Sequence, residues 1–140
     1  MKKRLSLSLY KRTSYLLATV FAAVGLIFLF APDWLIGFFN GISGRLGMTP
    51  SPENGLDFFL ILAAAYMYLV TVLAWMMGRH AENSIFPLLL VNGKLASSLL
   101  SFGFFFISKP YLIFLVNGIV DGLIGCGVLL LYFRSKGIRR

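Results

Sequence analysis

A chain of 140 residues that is 59% apolar, 16% aromatic and only 13% charged, with a mean hydropathy of +0.85, lacks the composition of a water-soluble globule, which is about half apolar and a quarter charged. That length leaves no room for a separate catalytic module beside the hydrophobic part. Thirteen Lys and Arg against five Asp and Glu, net +8, cluster at the two ends of the chain rather than on a polar face, which argues against nucleic acid; one Cys and one His make neither a disulfide framework nor a four-ligand zinc site.

A membrane-crossing helix needs about 20 mostly apolar residues to span about 30 Å of hydrocarbon. Four stretches qualify: Ser14 to Phe30, Leu56 to Met77, Ile85 to Ile107 and Tyr111 to Phe133. The first follows a basic segment and so has the outline of a signal peptide. Phe30-Ala31-Pro32 offers no small-x-small cleavage pair, however, so a retained helix is expected. After it, Asp33 to Asn40 is too short to cross but apolar enough for the outer interface, either as a short amphipathic helix on the lipid surface or as a loop over the mouth of the bundle. Gly41, Gly44, Gly47 and Pro50 are expected to make a flexible return, and Pro50 to Gly55 a break before the second span. Gly78-Arg79-His80 closes the second span, and Ser108-Lys109-Pro110 separates the third from the fourth. The chain thus reads as one all-α domain, residues 1–140: an integral membrane four-helix bundle of two antiparallel hairpins with a short interfacial segment after the first span.

Positively charged flanks are retained on the cytoplasmic side. Lys2, Lys3, Arg4, Lys11, Arg12, Arg79, Arg134, Lys136, Arg139 and Arg140 fall on one side, and only Arg45 and Lys109 on the other. Both termini are therefore expected in the cytoplasm, with a bacterial inner membrane the favoured setting. The basic ends are expected to attract anionic lipids at about 1 kcal/mol per residue. Tyr15, Trp75 and Tyr132 mark the cytoplasmic belt, and Trp34 and Tyr111 the outer one.

Polar groups inside the spans are the informative exceptions. Gly93, Lys94, Ser97, Ser98 and Ser101 occupy about 140° of the third helix, and Asn117, Gly118, Asp121, Gly122 and Gly125 repeat the spacing on the fourth. The two stripes are expected to face each other, with Gly93, Gly118, Gly122 and Gly125 allowing close approach. Ser14, Ala18, Ala22 and Gly25, and Ala64, Thr71, Ala74 and Gly78, form weaker stripes on the first two spans. A Lys94–Asp121 ion pair is one arrangement. Counting about 1.5 Å per residue places the two at different depths, which weakens the pair and sets beside it, on equal footing, a snorkelling Lys94 and an Asp121 bonded to Ser97, Ser98 or Asn117. A proton or ion site is the third possibility.

His80, in a short turn, reads as a solvated side chain, and Cys126 as a small hydrophobe. Phe102, Phe104, Phe105 and Phe106 read as lipid-facing or subunit-facing bulk, and Glu53 and Asp57 as acidic groups favoured at a helix start. There is no nucleophile–base–orienter set, phosphate loop or His pair, so no catalysis and no metal are expected. Three functions compete. The leading one is a non-catalytic accessory or interaction subunit of a membrane complex, contacting other membrane subunits or further copies of itself. The second is a small oligomeric transporter or channel using Asp121 and Lys94. The third is a quinone- or lipid-binding subunit whose pocket includes Tyr66, Tyr68 and the polar stripe.

Gly25-Leu26-Ile27-Phe28-Leu29-Phe30-Ala31-Pro32 followed by an outer amphipathic segment, Ala63-Ala64-Ala65-Tyr66, and Lys94 in the third span together resemble the DoxX-like superfamily of small four-helix bacterial membrane proteins over nearly the whole chain. The resemblance implies association with a respiratory or redox assembly, through links of that superfamily to quinone-coupled sulfur oxidation. It maps no catalytic residue, and the chain lacks any recognisable cofactor ligand.

Overall fold

The computed structural model describes residues 2–53 and 57–137, and the side chains of 7–53 and 59–135. Expectations placed on Asn54, Gly55, Leu56, Arg139 and Arg140, and on the side chains of Lys2, Lys3, Arg4, Asp57 and Lys136, lie outside the described residues. Within them the chain forms helices α1 (Lys2–Phe30), α2 (Pro32–Arg45), α3 (Asp57–Arg79), α4 (Ile85–Ile107) and α5 (Leu112–Gly137), and no strand. Four segments are long and apolar enough to cross a membrane: Leu7–Phe30, Phe59–Arg79, Ile85–Ile107 and Leu112–Ser135. The protein is a helical membrane bundle.

The helix boundaries follow from backbone chemistry. Pro32 has no N–H to continue α1, yet at the start of α2 that missing donor costs nothing. Asp33 in the first turn and Arg45 in the last both suit the helix dipole. The segment after the first span is thus a 14-residue helix, longer than the stretch Asp33 to Asn40, and Gly41 and Gly44 belong to it rather than to a flexible return. Burial of Ile36 and Ser43 outweighs the helix-propensity deficit of the two glycines, about 1 kcal/mol each. Only Gly47, at φ +65°, makes the turn that glycine was expected to make. Trp34 and Phe38 are exposed and stack on each other, so α2 carries an apolar face away from the bundle as well as toward it.

Asn40 then clasps the return. Its Nδ2 donates to the Ser51 carbonyl at 2.9 Å and to Glu53 Oε1 at 3.1 Å, and its Oδ1 accepts from the Ser51 N–H at 2.7 Å. Asn40→Ala is expected to cost about 1–2 kcal/mol and to speed amide exchange at Ser51 selectively, measurable by hydrogen exchange in detergent.

Gly78 lies inside α3, not in the break after it, and the turn runs from His80 to Ser84. Asn83 Oδ1 accepts from the Ile85 N–H at 2.9 Å, satisfying one of the open donors at the start of α4. At the other end, the Ser108 and Lys109 N–H groups both donate to the Phe104 carbonyl before Pro110 bars further helix.

α1 packs along α3 and α4 along α5, the two antiparallel pairs expected, and smaller α3–α4 and α1–α5 contacts join them. The joint is a core of Tyr10, Ala18 and Phe21 from α1, Met67, Val70, Ala74 and Met77 from α3, Leu90 and Val91 from α4, and Val128 from α5. Tyr10, Val70, Ala74, Met77, Leu90, Val91 and Val128 lie in the half of their helices nearer the α3–α4 turn and the chain termini, whereas Ala18, Phe21 and Met67 lie just past mid-helix toward α2. α1 meets α3 closely at Gly25, where a Cβ would sit 3.0 Å from Met67 Cβ, and at Gly78, where it would sit 3.1 Å from Ser14 Cβ. Ala22, assigned to the same stripe, is exposed.

Trp75, beneath the Arg79 guanidinium at 5.1 Å, and Tyr15 are exposed at the terminal end, as a belt requires. Tyr132 is not in that belt. It is 7% exposed because, four residues after Val128, it shares the core-facing side of α5. Among the phenylalanines, Phe104 and Phe106 are exposed whereas Phe102 turns onto α5 at Gly118.

Candidate functional site

The polar stripes of α4 and α5 do face each other. Ser98 Oγ donates to the Gly118 carbonyl at 2.6 Å, and Asn117 Nδ2 donates to Ser101 Oγ at 2.8 Å and Ser97 Oγ at 3.3 Å. Gly122 and Gly125 leave room for the partner helix, since a Cβ at either would lie 2.9 Å from Ser98 Oγ or Leu95 Cδ2 respectively. Gly93 is placed differently from the expectation: its open side meets the Tyr66 ring of α3, 3.7 Å from the hydroxyl, rather than α5.

Lys94 Nζ and Asp121 Oδ1 form a direct ion pair at 2.7 Å, with side chains 3% and 5% exposed. The depth argument against the pair does not hold, because the register set by Ser98–Gly118 and Leu95–Gly125 leaves the two residues only about one turn apart. The four-carbon lysine stem bridges that stagger, against its ordinary lean toward the helix N-terminus. The ammonium also lies over the rings of Phe21 at 4.6 Å and Tyr66 at 5.1 Å. Each helix pair therefore contributes to the site: the charges come from α4 and α5, the π faces from α1 and α3.

Toward the α2 end the two helix pairs leave a cavity of about 460 Å³ between them. Its walls are mainly apolar, with Val24 and Phe28 from α1, Ile36 from α2, and Phe59 and Ala63 from α3, while Lys94, Asp121, Ser97, Ser101, Asn117 and Tyr66 group polar atoms along one side. The core fills the terminal half of the bundle and reaches mid-span at Phe21 and Met67, which also border the cavity in the α2 half. Two buried polar atoms of these lining residues have no close hydrogen-bond partner: Asp121 Oδ2 and the Tyr66 hydroxyl. Ser97 is a weak side-chain hydrogen-bonding neighbour of that hydroxyl, and Asp121 acts on it by its charge.

Tyr68, assigned to the same pocket as Tyr66, is 72% exposed and points away from it. Two residues further along a helix turns the side chain about 200°, so both tyrosines cannot share one wall. The sequence signalled Lys94, Ser97, Ser101, Asn117 and Asp121 through their polarity. It gave no sign of Phe21, Phe28, Ile36, Phe59 or Ala63, which are ordinary apolar residues in apolar helices. Cys126 is exposed on α5 and His80 is exposed in its turn; neither lines the cavity. Among the described residues, no three of His, Cys, Asp and Glu come together to hold a metal ion.

No protein-family model matches the chain, and comparison with curated proteins and with solved structures returned no match.

Proposed function

We propose that this integral membrane protein is a non-catalytic subunit that holds an amphiphilic molecule, a quinone or a lipid, in the cavity between its two helix pairs. The observation that carries the reading is the cavity itself, because about 300–1,000 Å³ of mainly apolar space with a few convergent polar groups is the usual form of a small-molecule site. Passage across the membrane is supported less well: a transport path would have to cross the packed core of Tyr10, Phe21, Met77, Leu90 and Val128. In this reading the protein serves as an accessory subunit of a membrane complex, in line with the DoxX-like resemblance. The ten-to-two distribution of basic residues supports cytoplasmic termini in a bacterial inner membrane, with anionic lipids at the basic ends.

Ala63→Phe tests it by placing a ring in the cavity. Protein purified in a mild detergent and analysed by lipid mass spectrometry is expected to carry a stoichiometric quinone or lipid, and the variant to lose it while keeping its melting temperature. Absence of any amphiphile above the detergent background in the unsubstituted protein overturns the reading. Recovery of partner chains in the same preparation tests the accessory role.

A further inference from the structure

This inference rests on reading the cavity as an amphiphile site, and concerns the head group it takes. We infer that the ligand carries an uncharged head with a free hydroxyl, whose hydrogen is donated to Asp121 Oδ2.

The charge balance of the wall excludes an ionised head. Lys94 and Asp121 are the charged residues lining the cavity, and they neutralise each other at 2.7 Å. An anionic head would be buried beside a carboxylate, and a cationic one beside an ammonium already shared between Asp121 and two ring faces. Either would bring a charge out of water with nothing to compensate it. A phosphate-headed lipid fails on the same ground.

The hydrogen-bond inventory supplies the rest. Ser98 is committed to the Gly118 carbonyl, and both hydrogens of the Asn117 amide are directed at Ser97 and Ser101. Asp121 spends one carboxylate oxygen on Lys94, while the other is buried without a donor on a residue only 3% exposed. An ionised carboxylate oxygen only accepts, so a ligand O–H or N–H is the group that complements it. The Tyr66 hydroxyl, on a residue of the same wall and with only the weak contact to Ser97, is by contrast able to donate. A single hydroxyl answers both, giving its proton to Asp121 and accepting one from Tyr66. An ether, or a fully oxidised carbonyl head, answers only the second.

Four tritiated probes sharing one chain test the inference on protein in nanodiscs: dodecan-1-ol, its methyl ether, dodecanoate and dodecylammonium. Retention is read by scintillation proximity against empty discs and against Ala63→Phe. The alcohol is expected to be retained about tenfold more tightly than the ether, since the ether leaves the carboxylate oxygen unmet. Both ions are expected to bind more weakly than the alcohol. Tyr66→Phe is expected to weaken alcohol and ether by the same factor, and Lys94→Met with Asp121→Leu to bring their ratio to about one. Equal retention of alcohol and ether, each reduced by Ala63→Phe, overturns the hydroxyl assignment and leaves the cavity reading standing. Tighter binding of either ion does the same. If Ala63→Phe lowers the retention of no probe, the cavity reading itself fails.

Discussion

Asp121→Ala is expected to destabilise the bundle by about 3–5 kcal/mol, and Lys94→Met combined with Asp121→Leu to recover most of that loss. The single change leaves the Lys94 ammonium buried at 2% exposure with only the faces of Phe21 and Tyr66 for company. A lone charge at mid-membrane costs about 2.5–3.5 kcal/mol on insertion scales, and the rings return only part of it. The double change removes both charges and keeps the volume, so no desolvated group remains. Unfolding in mixed detergent micelles, followed by circular dichroism, measures the three values. A single variant as stable as the unsubstituted protein would mean that water or lipid head groups reach Lys94, and so that the site is wet.

Gly25→Val comes next in size. A Cβ at this position would lie 3.0 Å from Met67 Cβ, an atom fixed to the α3 backbone and unable to swing away. Accommodating two further methyl groups requires α1 to move off α3, at about 2–3 kcal/mol. Lipid gives no hydrophobic drive to bring apolar helices back together, so lost contact is not regained elsewhere. Gly127 provides the control: nothing lies within 4 Å of its Cβ position, and Gly127→Ala is expected to gain up to about 1 kcal/mol from helix propensity alone. Gly122→Ala should fall between them, because it pushes Ser98 Oγ from 2.9 Å and threatens its bond to the Gly118 carbonyl. Melting temperatures of the three variants in one detergent give the order. A Gly25→Val protein that melts with Gly127→Ala would show that α1 and α3 do not depend on their close approach.

The amino-acid sequence by itself determined the solvent, the number of spans and the pairing of stripes. Each depends on local quantities: about 20 apolar residues per crossing, prolines that cannot donate, and a polar residue every third or fourth position along a helix. Ile85 to Ile107 was legible to the residue for that reason. Helix α2 was legible only in part, since Gly41 and Gly44 read as breakers until burial of Ile36 and Ser43 is known.

Only the tertiary structure decided which of the submerged charges meet and where empty space lies. Register between α4 and α5 depends on how Gly122, Gly125 and Ser98 interlock, and a helix taken alone carries no record of its neighbour's axial offset. The same holds for Phe21 and Tyr66, brought to Lys94 from α1 and α3, and for Tyr68, which differs from Tyr66 only in the direction it faces. A cavity is a property of four helices at once: they converge where Tyr10, Met77, Leu90 and Val128 fill the joint, and stand apart toward α2, where no side chain reaches across.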